Sequence, residues 1–161
     1  MNQYDDEIDA LIPAPFGFVA VRYGVEGVSV QFLQQALPVK SKPDPRACPI
    51  AEQVANYLQD PHTPLAPIPS HVGTPFQQRV WQAMREIPVG ETRSYGQLAS
   101  KVNSGPRAVA NACGANPVSL FNPCHRVVAS QGLGGFMRGI GGGLEIKRWL
   151  LAHEQRKPLR T

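Results

Sequence analysis

The chain has 161 residues, 42% hydrophobic and 17% charged, with a net charge of +4. That length holds one ordinary domain or two small ones, and that balance supplies apolar material for a core while excluding a disordered polyelectrolyte. The net charge conceals an asymmetry: residues 1–68 carry four Lys/Arg against eight Asp/Glu, or −4, and residues 69–161 carry twelve against four, or +8. A basic second half suits a bound polyanion, and it also suits solubility alone.

The chain opens with Asp5, Asp6, Glu7 and Asp9, the reverse of a secretory signal's basic start, and no apolar run approaches membrane-spanning length. A soluble, cytoplasmic protein without membrane contacts is expected. Gly17 to Val21 and Val28 to Leu33, punctuated by Gly24 and Gly27, predict a β-hairpin. Pro43, Pro45 and Pro49 then interrupt the chain before Ile50, Val54, Tyr57 and Leu58 fall at helical spacing, which predicts a helix over Ile50 to Leu58. The proline-rich stretch from Pro61 to Pro69 reads as a stiff connector, dividing the chain into residues 1–68 and 69–161.

The second half opens on Thr74-Pro75-Phe76-Gln77, with a capping threonine, a proline for the first helical position and a glutamine to close the capping box. Phe76, Val80, Ala83, Met84 and Ile87 continue it as one apolar stripe. Ser94-Tyr95-Gly96-Gln97 repeats the capping logic for a short helix to about Val102; Asn103-Ser104-Gly105 turns the chain, and Pro106 starts another helix ending near Gly114. This is a helix-turn-helix pattern, although any two short helices around a glycine turn produce it, so DNA binding and plain helix packing both stay open. After a loop with seven glycines between Gly132 and Gly143, Ile146, Trp149, Leu150 and His153 mark a helix over Leu144 to Glu154.

Cys48, Cys113 and Cys124 are odd in number and lack CxxC or Cys/His clustering, so free thiols are expected and neither disulfide nor metal. Pro123-Cys124-His125-Arg126-Val127 is the sharpest feature, because an imidazole or cation beside a thiol favours the nucleophilic thiolate. The same cysteine also fits as a small buried hydrophobe. Cys113, among alanines in a helix, reads as a packing residue, and Cys48 has no assigned role.

Context favours chemistry. Asn116-Pro117-Val118, Pro123 to Val127, and Lys147-Arg148-Trp149-Leu150-Leu151-Ala152-His153-Glu154 resemble the alkyl-acceptor region of the O6-alkylguanine-DNA alkyltransferases. The likeness extends through Gly73-Thr74-Pro75-Phe76, Ser94 to Ala99 and Arg107-Ala108-Val109, so it covers most of residues 73 to 154. It implies an α+β fold: a small ribonuclease-H-like N-terminal sheet-plus-helix domain over 1–68, and a mainly helical, winged-helix-like domain with the helix-turn-helix over 69–161.

The resemblance also implies roles. Cys124 takes the alkyl group from O6-alkylguanine, and from O4-alkylthymine, in double-stranded DNA. His125 activates it through a water, Glu154 orients His125, and Asn116 braces the preceding turn. Tyr95 hydrogen-bonds the extruded base and donates a proton, while the carbonyls of Cys124 and Val127 accept the guanine amino group. Ala108, with Val109, Ala110 and Ala112, lets its helix approach the minor groove, Arg107 fills the gap left by the flipped nucleotide, and Thr74 and Ser94 join the DNA contacts. Phe136 matches a pocket aromatic. No cofactor is implied, the protein acts as a monomer, and with no means of breaking the new thioether each molecule repairs one base.

Two departures stand out. Asn122 replaces a usual aliphatic residue before Pro123, placing a polar group where a buried one is expected, and a hydrogen bond to a neighbouring loop is anticipated. The Gly132 to Gly143 loop is longer than usual around Met137-Arg138-Gly139-Ile140, and a looser wall there would admit larger alkyl groups. Rival readings are a relative that binds lesions without repairing them, which Cys124 argues against; a DNA-binding regulator with an inert cysteine; and a Cys-His hydrolase, for which no oxyanion hole is found.

Overall fold

The computed structural model describes residues 7–25, 27–68, 72–134 and 142–156. An antiparallel sheet opens the fold, with strands β1 (Ala10–Ala14), β2 (Gly17–Gly24) and β3 (Gly27–Leu33) in that order. The expected hairpin is β2–β3; β1 is an addition. Its sequence Ala-Leu-Ile-Pro-Ala shows little period-two signal and holds Pro13, which a strand tolerates at a sheet edge. Gly17 turns β1 into β2 at φ 136°, where a Cβ would lie 2.2 Å from Leu33 O.

Helix α1 spans Ala47–Gln59, starting three residues before the expected Ile50. Pro49 sits in its first turn, where no intrahelical N–H is needed, so it is part of the helix and not a breaker. Ala47, Ile50, Val54 and Tyr57 form its buried stripe, against Ile12, Val19, Val21, Val30 and Phe32 of the sheet. Residues 61–68 carry no helix or strand, yet they are packed down: Leu65 and Ile68 lie on this core, and His62 Nε2 is 2.7 Å from Arg156 O.

The same core takes Val118, Leu120, Phe121, Ile146 and Leu150 from the second half. The β3 edge continues this union through backbone pairing. Val30 N donates to Pro117 O at 2.9 Å, and Ser119 N donates to Val30 O at 3.0 Å. The N-terminal sheet therefore holds the loop that leads to Cys124.

In the second half, α2 (Pro75–Arg85), α3 (Tyr95–Lys101) and α4 (Pro106–Gly114) pack together around a second core that includes Val80, Trp81, Met84, Leu98 and Val109. Both anticipated capping boxes are formed, Thr74 with Gln77 and Ser94 with Gln97. Asn103 turns the chain between α3 and α4 at φ 55°, a left-handed conformation that asparagine tolerates better than most side chains. Two short parallel strands, β4 (Arg93–Ser94) and β5 (Val127–Val128), tie the start of α3 to the chain after Cys124. Helix α5 (Gly143–Glu154) closes the fold. No helix among the described residues is long and apolar enough to cross a membrane.

Candidate active site

Cys124 opens a 3-10 turn, Cys124–Arg126, reached through a constrained loop. Leu120 is buried there at φ 77°, a conformation that costs a non-glycine residue about 1–3 kcal/mol and persists only where packing enforces it. Asn122 N donates to Val118 O at 3.0 Å, and Cys124 N donates to Asn122 O at 2.8 Å. Asn116 is bonded across this loop: its Nδ2 donates to Asn122 O at 2.8 Å and to Cys124 Sγ at 3.4 Å, and its Oδ1 accepts from Val118 N at 3.1 Å.

His125 and Glu154 meet in the interior, with His125 Nε2 donating to Glu154 Oε2 at 2.8 Å. Arg126 grips the same carboxylate in two places, Nε to Oε1 at 2.8 Å and Nη2 to Oε2 at 2.9 Å, while its Nη1 donates to Ile87 O at 2.8 Å. Tyr57 Oη donates to Glu154 Oε2 at 2.6 Å. Burial alone would raise the Glu154 pKa, but the hydrogen bonds and charges of His125 and Arg126 outweigh it and hold the carboxyl well below its ordinary value. Burial pushes the His125 imidazole below its ordinary value, against the pull of Glu154, so the ring is neutral near pH 7. A carboxylate only accepts, so Nε2 carries the proton and Nδ1 the lone pair. That Nδ1 is buried and has no hydrogen-bond partner among the described residues.

The sulfur itself differs from the sequence expectation. Cys124 is partly accessible, but withdrawal from water pushes its thiol pKa up, opposed by the Asn116 hydrogen bond and the charge of Lys147. Arg126 is turned to Glu154 and Ile87, not to the sulfur. The resting group is therefore a thiol and not a standing thiolate.

Lys147 adds a charge that acts on the sulfur. It is fully buried on α5, donates from Nζ to Val127 O at 2.8 Å, and lies 6.0 Å from the centroid of the Tyr95 ring. Val127 O retains a second lone pair for a ligand. Tyr95, the first residue of α3, is half-buried and rests against the backbone of Gly134, where a Cβ would lie 2.9 Å from Tyr95 Cε2. Phe136, like most of the glycine loop, lies outside the described residues.

On the helix-turn-helix, Arg107, Ala110 and Asn111 are exposed and Ala108 partly so. Val109 and Ala112 instead face the core, so only two of the four small residues expected at the groove lie on the outer face. The Thr74 and Ser94 hydroxyl oxygens accept from Gln77 N and Gln97 N as helix caps. Cys113 packs against the second core, and its thiol is pushed up to about 12, chiefly by burial, in keeping with an inert packing residue. Cys48 is exposed. No group of three or more metal-binding side chains stands together among the described residues.

Two residues of this site, Tyr57 and Lys147, carry no role in the sequence reading, and Arg126, expected to act on the sulfur, binds Glu154. Lys147 and Glu154 do share the buried stripe of α5 with Ile146, Leu150 and His153, a signal that helical spacing makes available. Tyr57 carries none, because its partner is 97 positions away.

The family model described as 6-O-methylguanine DNA methyltransferase, DNA binding domain, matches residues 75–156. A methylated-DNA--protein-cysteine methyltransferase of Salmonella typhimurium is 51% identical over 84 residues, 51% of this chain and 47% of that protein. The chain thus matches about half the length of such curated relatives. The crystal structure of Mycobacterium tuberculosis O6-methylguanine methyltransferase superimposes with a TM-score of 0.71 and 32% identity, covering 93% of this chain and 94% of that one. A structure of Mycobacterium tuberculosis OGT in complex with DNA gives 0.68 and 34%, covering 90% and 91%.

Proposed function

Because this chain belongs to the 6-O-methylguanine DNA methyltransferase family, we propose that it repairs DNA by direct reversal, Cys124 taking the alkyl group from O6 of guanine. The observation that carries this reading is a partly accessible thiol directly followed by a neutral, buried His125 whose Nδ1 has no hydrogen-bond partner among the described residues and whose Nε2 is anchored to Glu154.

Nδ1 takes the thiol proton through a bridging water, Sγ attacks the alkyl carbon, and the carbon–O6 bond breaks. A thioether forms on Cys124 and guanine leaves as an anion. Tyr95 donates its hydroxyl proton to the departing base and is reprotonated from the His125 imidazolium, so that in net one proton passes from the thiol to guanine and both side chains return to their starting state. Glu154 stays ionised throughout and stabilises the imidazolium. Asn116 Nδ2 and Lys147 lower the cost of negative charge on sulfur. The carbonyls of Cys124 and Val127 receive the guanine amino group. O4-alkylthymine is a second substrate on the same chemistry.

The DNA partner is a lesion-bearing duplex approached from the minor groove by α4. Ala108 and Ala110 allow close contact, exposed Arg107 occupies the gap left by the flipped nucleotide, and Thr74 and Ser94 contact the backbone. We read residues 1–68 as a ribonuclease-H-like support domain and 69–161 as a winged-helix-like domain, acting as a monomer. A carbon–sulfur thioether is not reversed by thiol exchange, so each molecule acts once.

Incubation with duplex DNA containing O6-methylguanine, followed by intact mass and peptide mapping, tests the assignment. One methyl group on Cys124, absent in Cys124→Ser, is the expected result. Lesion binding without any mass change points to recruitment instead, and methyl on another residue overturns the role of Cys124.

A further inference from the structure

Asn122 is 4% exposed, and both ends of its side-chain amide are engaged. Its Oδ1 accepts from Arg85 Nη1 at 2.6 Å, and its Nδ2 donates to Asn116 Oδ1 at 3.2 Å. Asn116 Nδ2 in turn donates to Cys124 Sγ. We propose that Arg85 and Asn122 are positioning residues for the nucleophile, imposing a fixed direction on the Asn116 amide so that it always presents N–H to the sulfur.

The logic is one of polarity. A guanidinium only donates, so Asn122 must turn its oxygen to Arg85 and its NH2 to Asn116. Asn116 must then turn its oxygen to Asn122, where Val118 N also donates to it, leaving its NH2 for the sulfur. The reversed amide would aim a carbonyl oxygen at Sγ and oppose any negative charge there. Each bond also polarises the next, and the first is charge-assisted, so the donor that reaches Sγ is stronger than an isolated amide. Arg85 is exposed as a residue and ends α2, which places the head of the chain at the surface and its tail on the reacting atom. Lys147 of α5 also acts electrostatically on the sulfur, Cys113 of α4 lies within electrostatic reach of it, and His125 follows it in the same turn; none is altered in the test.

This inference rests on Cys124 as the acceptor, so two readouts are needed. The first is the pH dependence of Cys124 alkylation by iodoacetamide, which involves no DNA; the second is single-turnover methyl transfer. Arg85→Met and Asn122→Leu are expected to move the thiol midpoint upward by about half a pH unit, slowing reaction at pH 7 about threefold. Arg85→Lys, which restores a donor-only cation, is expected to recover most of the loss. Since Arg85 is exposed, Arg85→Met keeps the fold even if Asn122→Leu does not. An unmoved midpoint in Arg85→Met overturns the proposal, as does a midpoint that moves equally in Arg85→Lys. Failure of the unaltered protein to accept methyl would strike the repair reading instead, while the iodoacetamide profile still decides this one.

Discussion

Tyr57 Oη lies 2.6 Å from Glu154 Oε2, joining the first-half helix α1 to the last residue of α5 inside the protein. That oxygen also receives His125 Nε2 and Arg126 Nη2. Three donors on one atom damp its basicity, so Glu154 orients the imidazole without removing its proton. The acidic first half thus does more than cover the core: it supplies a hydrogen bond to the relay and, through Val30, the backbone pairing that holds the acceptor loop.

Tyr57→Phe should separate this contribution from packing, since only the hydroxyl is lost. Stability should fall by about 1.5–3 kcal/mol, the range for a hydrogen bond to a charged group. The less-shared carboxylate should favour imidazolium, raising the His125 pKa and moving the acid limb of the methyl-transfer profile to higher pH. Urea unfolding and a pH–rate series check the two effects, and an unchanged profile would reduce Tyr57 to a packing residue.

Stability should decline toward acid in two stages. The folded His125 pKa lies below its ordinary 6.5, so the unfolded chain binds the extra proton and stability is lost as pH falls below about 6.5. Glu154 is also depressed, so its contribution is complete above its ordinary 4.5 and is lost below that as pH falls toward the folded value. Denaturant midpoints measured across this range should show both declines. In Glu154→Gln the lower one should weaken, on a background reduced by about 3–5 kcal/mol because Arg126 loses its buried partner.

Lys147→Met removes the buried cation that offsets desolvation of Cys124 and leaves Val127 O without that donor. The thiol should become harder to ionise, and methyl transfer at pH 7 should slow about tenfold if its pKa rises by one unit. A thiol titration unchanged from the unaltered protein would exclude the electrostatic role.

Gly134→Ala introduces a Cβ where φ is 73°, 2.9 Å from Tyr95 Cε2 and 3.1 Å from Ala129 N. The backbone contact cannot yield as a side-chain tip can, so the Tyr95 ring should shift. Transfer should fall while the helix-turn-helix stays folded, as circular dichroism and a lesion-transfer assay would show.

The sequence was most legible where determinants are local. Thr74 with Gln77 and Ser94 with Gln97 place two helix starts correctly, because a capping box is complete within four residues. Strand β1 escaped because Pro13 and alanines obscure its alternation, and α1 was trimmed because Pro49 looks the same as a breaker or in a first turn. Cys124, His125, Asn116 and Glu154 come together as the motifs imply, but the raised thiol pKa was not visible, since adjacency to His and Arg says nothing of where those side chains turn. From sequence, a partner for Asn122 is anticipated on a neighbouring loop; its partners are instead Asn116, six positions earlier in the same segment, and Arg85 on α2, a pairing that only the tertiary fold brings about.

The most direct test titrates the protein with increasing amounts of O6-methylguanine duplex and counts restored guanines against modified Cys124. Repair should plateau at one guanine per protein, with every recovered Cys124 carrying a methyl thioether. Continued repair beyond that ratio, or a free thiol at Cys124 after excess lesion, would contradict the account.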